Sequence, residues 1–118
     1  MSVYVPPFQI PIFRPGVPSD GELVFATIAM SPFVFTTGTW LVCKSKTAFT
    51  SEAVFVFKRN GTQFGTATFA AASTVAVISK PVTLTLFSVS QSLEIYAPDP
   101  ADGTGADIEF ALLATRLT

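Results

Sequence analysis

Asn60-Gly61 and the runs on either side of it limit what this chain can fold into more than any other feature. The pair sits inside Phe55–Phe69, between two stretches rich in Phe, Val and Thr. A two-residue type I′ turn needs φ > 0 at both central positions, and Asn-Gly tolerates that best. The turn predicts a register in which Arg59 faces Thr62, Lys58 faces Gln63, Phe57 faces Phe64, and Gly65 lies across from Val56. Phe55, Phe57 and Phe64 then share one face, and Lys58 and Gln63 the other. An antiparallel β domain follows, but no reaction does.

Strand signals recur from Gly21 onward. Leu23–Met30 stops at Ser31-Pro32, and Phe33–Phe35 and Thr39–Lys44 flank the turn Thr36-Thr37-Gly38. Lys46–Ser51 reads as a loop, Ala70–Ser73 as a connector, and Thr74–Ser79 as a strand ended by Lys80-Pro81. Val82–Phe87 alternates, with Val82, Leu84 and Leu86 on one face. Ser92–Ala97 directs Leu93 and Ile95 inward and Glu94 and Tyr96 outward. After the turn-rich Pro98–Gly105, the closing strand Ala106–Arg116 sets Ile108, Phe110 and Leu112 on the core side. No segment has apolar residues at helical spacing with caps. About eight short strands at regular spacing predict an all-β, antiparallel β-sandwich or barrel.

Residues 1–20 differ from the rest. Pro6, Pro7, Pro11, Pro15 and Pro18 stand among Phe8, Ile10, Ile12 and Phe13. That proline density forbids a helix and a central strand, yet the segment is too apolar for a free linker. The division expected is an extended Pro-rich N-terminal arm over 1–20 and a β-sandwich over 21–118. Two readings of the arm stay open: an edge strand closing its own domain, or an arm docked on a neighbouring subunit. In the second, Phe8, Ile10, Ile12 and Phe13 form an assembly interface. Composition favours a hidden surface of some kind. Charged residues are 13% of the chain, against about 25% in ordinary globular domains. That is thin cover for twelve phenylalanines, and suits a subunit packed against copies of itself or neighbours.

Catalytic chemistry finds little to work with. The chain has no histidine, so Ser/His/Asp and Cys/His constellations are excluded. Cys43, the single cysteine, lies in the apolar run Trp40–Cys43 and reads as a small core residue. Asp99, Asp102 and Asp107 could crowd oxygens around Ca²⁺, but their spacing is not that of an EF-hand; they read as turn formers. Asp107 and Glu109 are neighbours on one strand, both toward solvent, and do not face each other as a hydrolytic pair must. No catalytic residue, cofactor or metal is expected. Net charge is −1 and there is no basic stripe, which argues against nucleic acid. No apolar run approaches the roughly 20 residues of a membrane helix. Nothing in Met1–Ile12 resembles a secretory signal, so the chain reads as made in a cytoplasm.

Three motifs, in order, carry a resemblance. Ile12–Pro18 supplies a Pro-Gly-x-Pro lead-in to the first strand. Phe57–Ala71 supplies Lys, Asn-Gly, Gly-Thr and Phe-Ala-Ala, with Ala72 where the pattern carries glycine. Leu93–Pro98 followed by Ala106–Arg116 supplies the ending. Together they resemble a module of tailed-bacteriophage and gene-transfer-agent virion proteins: tail fibres, head spikes and decoration proteins. The resemblance implies a jelly-roll β-sandwich, a homo-oligomer with a trimer favoured, contacts with other virion proteins, and a non-enzymatic structural role in a virion assembled in the host cytoplasm. A second possibility is a module that binds a host glycan or receptor, with Trp40 and Tyr96 as its aromatic candidates.

Overall fold

The computed structural model describes residues 7–35, 40–79, 85–99 and 103–117. Among these residues the chain forms strands and turns, with no helix. The strands are β1 (Phe8–Arg14), β2 (Leu23–Ile28), β3 (Phe33–Phe35), β4 (Leu41–Thr47), β5 (Ala53–Arg59), β6 (Thr62–Phe69), β7 (Val77–Ser79), β8 (Thr85–Phe87), β9 (Ser92–Tyr96) and β10 (Ala106–Arg116). They make two antiparallel sheets packed as a sandwich. The first has the order β1-β10-β3-β8, with β4 also on β10; the second has the order β2-β9-β5-β6-β7.

The pairing is nested: β1 takes β10, β2 takes β9 and β3 takes β8. β10 is the axis of the first sheet. One side meets β1 from Ile108 to Ala114; the other meets β4 over Ala106–Leu112 and then β3 over Ala114–Arg116. The Leu113 N–H donates to the Trp40 carbonyl between those two partners, at 2.7 Å. At the side of the sandwich the chain passes from one sheet to the other. Ser45 N–H reaches the Thr74 carbonyl and Ala76 N–H the Cys43 carbonyl, before β7 joins β6.

The hairpin turn has the backbone its sequence demands, with φ of 48° at Asn60 and 83° at Gly61. The Asn60 side-chain oxygen accepts from Ser92 N–H at 2.7 Å, tying the turn to β9. Arg59–Thr62 and Lys58–Gln63 pair as expected, but a bulge follows: Phe57 lies opposite Gly65, not Phe64, and Val56 opposite Thr66. Two residues of β6 oppose one of β5, which lets Phe64 and Gly65 both stay buried. Gly65 has tight surroundings there. A Cβ would lie 3.2 Å from the Trp40 ring and 3.0 Å from the Ser79 carbonyl oxygen.

Other boundaries shift for similar reasons. β4 continues to Thr47, two residues into the expected loop, because β10 offers partners as far as Ala106. β2 ends at Ile28, where Ala29 closes against Ser90 and Gln91. In β8, Phe87 is buried and Leu86 is 42% exposed, so Leu86 lies on the outer face; Val82 and Leu84 fall outside the described residues. The expected faces of β9 and β10 hold: Leu93, Ile95, Ile108, Phe110 and Leu112 are all buried.

The core is aromatic in two clusters. Phe33, Phe35, Trp40, Phe57, Phe64 and Phe87 make one, and Phe49, Phe55 and Phe69 the other. Phe110 joins them, edge-on to Phe55 at 5.5 Å and to Phe57 at 6.1 Å. Gly105 fits against the flat of Phe49, where a Cβ would collide with the ring at 2.2 Å.

The N-terminal segment is a strand of its own domain over Phe8–Arg14, paired residue by residue with β10. Met1–Pro6 lie outside the described residues. Proline is accommodated because β1 is an edge. Pro11 has no N–H to give the ladder, and its position faces the open side, where the missing donor also blunts the edge against stray pairing.

Candidate functional site

The four residues expected to form an assembly interface divide between two faces. Phe8, Ile10 and Ile12 are half-buried and pack on the domain's own core. The Phe8 ring meets Phe33 edge-on at 5.8 Å, with the Arg116 guanidinium over it at 5.6 Å. Phe13 alone of the four turns outward, 51% exposed, with the Lys46 ammonium 5.9 Å above its ring. Strand alternation explains the split, since neighbours in β1 take opposite sides.

What lies beside Phe13 was not picked out from the sequence. The register of β1, β10 and β4 sets Gln9 by Leu113, Pro11 by Ala111 and Val42, and Phe13 by Glu109 and Lys44. The outer face of the first sheet is thus an apolar strip of Pro11, Phe13, Val42, Ala111 and Leu113. Val42 and Leu113 are each more than two-fifths exposed. A shallow groove of about 520 Å³ runs across it. The signal was present in Ala111 and Leu113, apolar residues at outward positions of an alternating strand.

A bidentate ion pair fixes the junction from β1 to β2. Arg14 Nε and Nη2 donate to the two oxygens of Glu22 at 2.5 and 2.8 Å, and Arg14 also reaches the Pro15 carbonyl. The Arg14 hydrogen bond, then the Ser19 N–H, hold the Glu22 carboxyl at about 2, well below its ordinary value. A carboxylate with a depressed pKa stabilises the fold in full above its ordinary value, near pH 4.5, and loses that contribution as pH falls toward 2. Both side chains are about a quarter exposed, so the contribution is no more than about 1 kcal/mol after solvent screening. Acid titration of thermal stability should show a decline between about pH 4.5 and 2 that is shallower in Glu22→Gln. Equal slopes would mean the pair contributes nothing.

No family model and no curated protein matches the chain. Its chemistry is therefore read from its own residues. Asp107, at φ 57°, accepts from Gly16 N–H at 2.8 Å and holds the β1–β2 loop, which is turn work. Asp99 lies against Gly21; Asp102 lies outside the described residues. Among the described residues no three of His, Cys, Asp and Glu gather as metal ligands. Cys43 is buried in β4, and burial pushes its thiol pKa up, away from the reactive thiolate.

Of the two aromatic candidates for ligand contact, Trp40 is core, packed against Phe35, Phe57 and Phe64. Tyr96 stands on the outer face of the second sheet. Lys58 Nζ sits 4.7 Å above its ring, and its hydroxyl donates to Glu94 Oε2 at 3.3 Å. The other oxygen of Glu94 accepts from Gly61 N–H at 2.9 Å. Partial desolvation, then the Glu94 charge, raise the Tyr96 pKa, so the phenol keeps its proton. Beside this group a groove of about 590 Å³ follows β5, floored by Val54 and Val56, with Lys58 and Gln63 at one end and Glu52 and Asp99 at the other.

Proposed function

We propose that this chain is a structural, non-enzymatic subunit of a tailed-bacteriophage virion, a fibre, spike or decoration component that acts as a homo-oligomer. The observation that carries the assembly role is the apolar outer face of the first sheet. Soluble monomers rarely leave such a strip to water, and a second copy of the chain is its occupant. The face carries Lys44 and Lys46 together with Glu109, so it offers both signs to an identical partner. A trimer is the form the motif resemblance implies.

The nested strand pairing supports a jelly-roll reading, an architecture shared by viral capsid and lectin domains. Ala72 supports the motif resemblance. It occupies the position where the pattern has glycine, and its φ is +64°. A left-handed alanine costs about 1–2 kcal/mol, and glycine's extra chain entropy returns part of that. Ala72→Gly should therefore raise stability by roughly 0.5–1 kcal/mol; a loss would remove the link between the motif and the backbone.

Native mass spectrometry of the wild type and of Leu113→Lys tests the assembly role. Wild type should be oligomeric, and Leu113→Lys should shift it to a monomer that still unfolds cooperatively, because the side chain lies at the surface of the single chain. A monomeric wild type at micromolar concentration would overturn the reading.

A further inference from the structure

The groove along β5 is the strongest feature left without a role. We propose that it is a carbohydrate-binding site, with an oligosaccharide lying between Lys58 and Glu52 across Val54 and Val56. This goes beyond the assembly role and does not depend on it.

The size suits such a ligand: about 590 Å³ lies within the roughly 300–1,000 Å³ of small-molecule sites. At about 3.3 Å per residue, Glu52 and Lys58 stand about 20 Å apart along the strand, room for several linked rings. Other ligand classes fit less well. The backbone of β5 is paired with β6 along its length and with β9 over Val56–Arg59, which leaves a peptide no continuous edge to add to as a strand. Glu52 and Asp99 repel a phosphate backbone. Two valines are too little apolar floor for a lipid chain.

A sugar presents C–H faces and hydroxyls together, and the groove answers both. Val54 and Val56 take the C–H faces. Lys58 donates, Gln63 donates and accepts, and Glu52 and Asp99 accept. Because the Tyr96 proton is committed to Glu94, its oxygen is turned into an acceptor. The parts are held in place beforehand. Lys58 rests on the Tyr96 ring, and the wall at Ala97–Asp99 is pinned by Ala97 N–H to Glu22 carbonyl and Gly21 N–H to Pro98 carbonyl, at 2.8 and 2.9 Å. Such preorganisation lowers the entropy lost on binding.

The probes are immobilised oligomers of glucose, galactose, mannose, rhamnose and N-acetylglucosamine, read against the purified full chain. Wild type should retain at least one class. Gln63→Ala and Glu52→Ala should each weaken retention about tenfold by removing a hydrogen-bonding group. Val54→Arg, which fills the floor, should abolish it, and Met30→Ala, an exposed side chain that lines neither groove, should leave it unchanged. Thermal midpoints of all four variants check that the fold persists. Retention of none of the five classes by wild type overturns the proposal, as does retention that survives Val54→Arg. A Val54→Arg variant that changes oligomeric state without changing retention overturns it too, and makes the groove a contact between copies.

Discussion

Phe110→Ala should lower stability by about 3–5 kcal/mol, the range for deleting a buried aromatic side chain. Phe110 is 2% exposed and is the ring that touches both aromatic clusters, through Phe55 and Phe57. Its loss leaves a cavity where the two sheets meet, and large rings on either side cannot collapse into it without leaving their own rotamers. The neighbouring Glu109→Ala removes an exposed side chain and should stay within about 0.5 kcal/mol. Urea unfolding of the two variants separates them. If Glu109→Ala proves the worse, the faces of β10 are reversed.

Deleting residues 1–15 should unfold the domain or leave it without a cooperative transition. The sequence also allowed an arm whose loss spares the sandwich, but β1 is part of the first sheet. It lines one side of β10 from Ile108 to Ala114, and Phe8, Ile10 and Ile12 cover the core. Fully buried side chains of this kind contribute about 1.5–3 kcal/mol each. Three half-buried ones with a seven-residue ladder approach the whole stability of a small domain, about 5–15 kcal/mol. Circular dichroism with thermal melting decides it. A truncated chain that melts cooperatively at the wild-type midpoint would show that β1 is dispensable.

The hairpin, β9 and β10 were legible because their determinants are local: a turn that allows few backbones, and strict alternation on either side. The bulge at Phe64-Gly65 was not, since Gly65 there lies over Trp40, a neighbour brought in from just before β4. The proline density of residues 1–20 also suits an arm, because the partner that makes Phe8–Arg14 an edge strand, β10, is far away in the sequence. Gly105 looked like a turn glycine, and its contact with the Phe49 ring is visible only once the loops meet. The candidate sites were least legible. Phe13 was found, but Val42 and Leu113 join it only through the register of three strands. The groove joins β5, β6 and β9 in the same way: the sequence sets Lys58 and Gln63 on one face and marks Tyr96 as an aromatic contact, but does not bring them together with Glu52 and Asp99.

The position of β10 also has a consequence in time. The β5–β6 hairpin is local and can close within about 1–10 μs. In the first sheet, however, β1, β3 and β4 all take their partner from Ala106–Arg116. During synthesis β1 and β4 wait for that later segment to find their ladder, while β3 meets β8 first. Long-range pairing of this sort is slow, and chains waiting for it expose strand edges that aggregate. A variant that weakens β10, Phe110→Ala included, will therefore give less soluble protein than its native stability alone predicts, and its yield at low temperature or with chaperones will report the defect first.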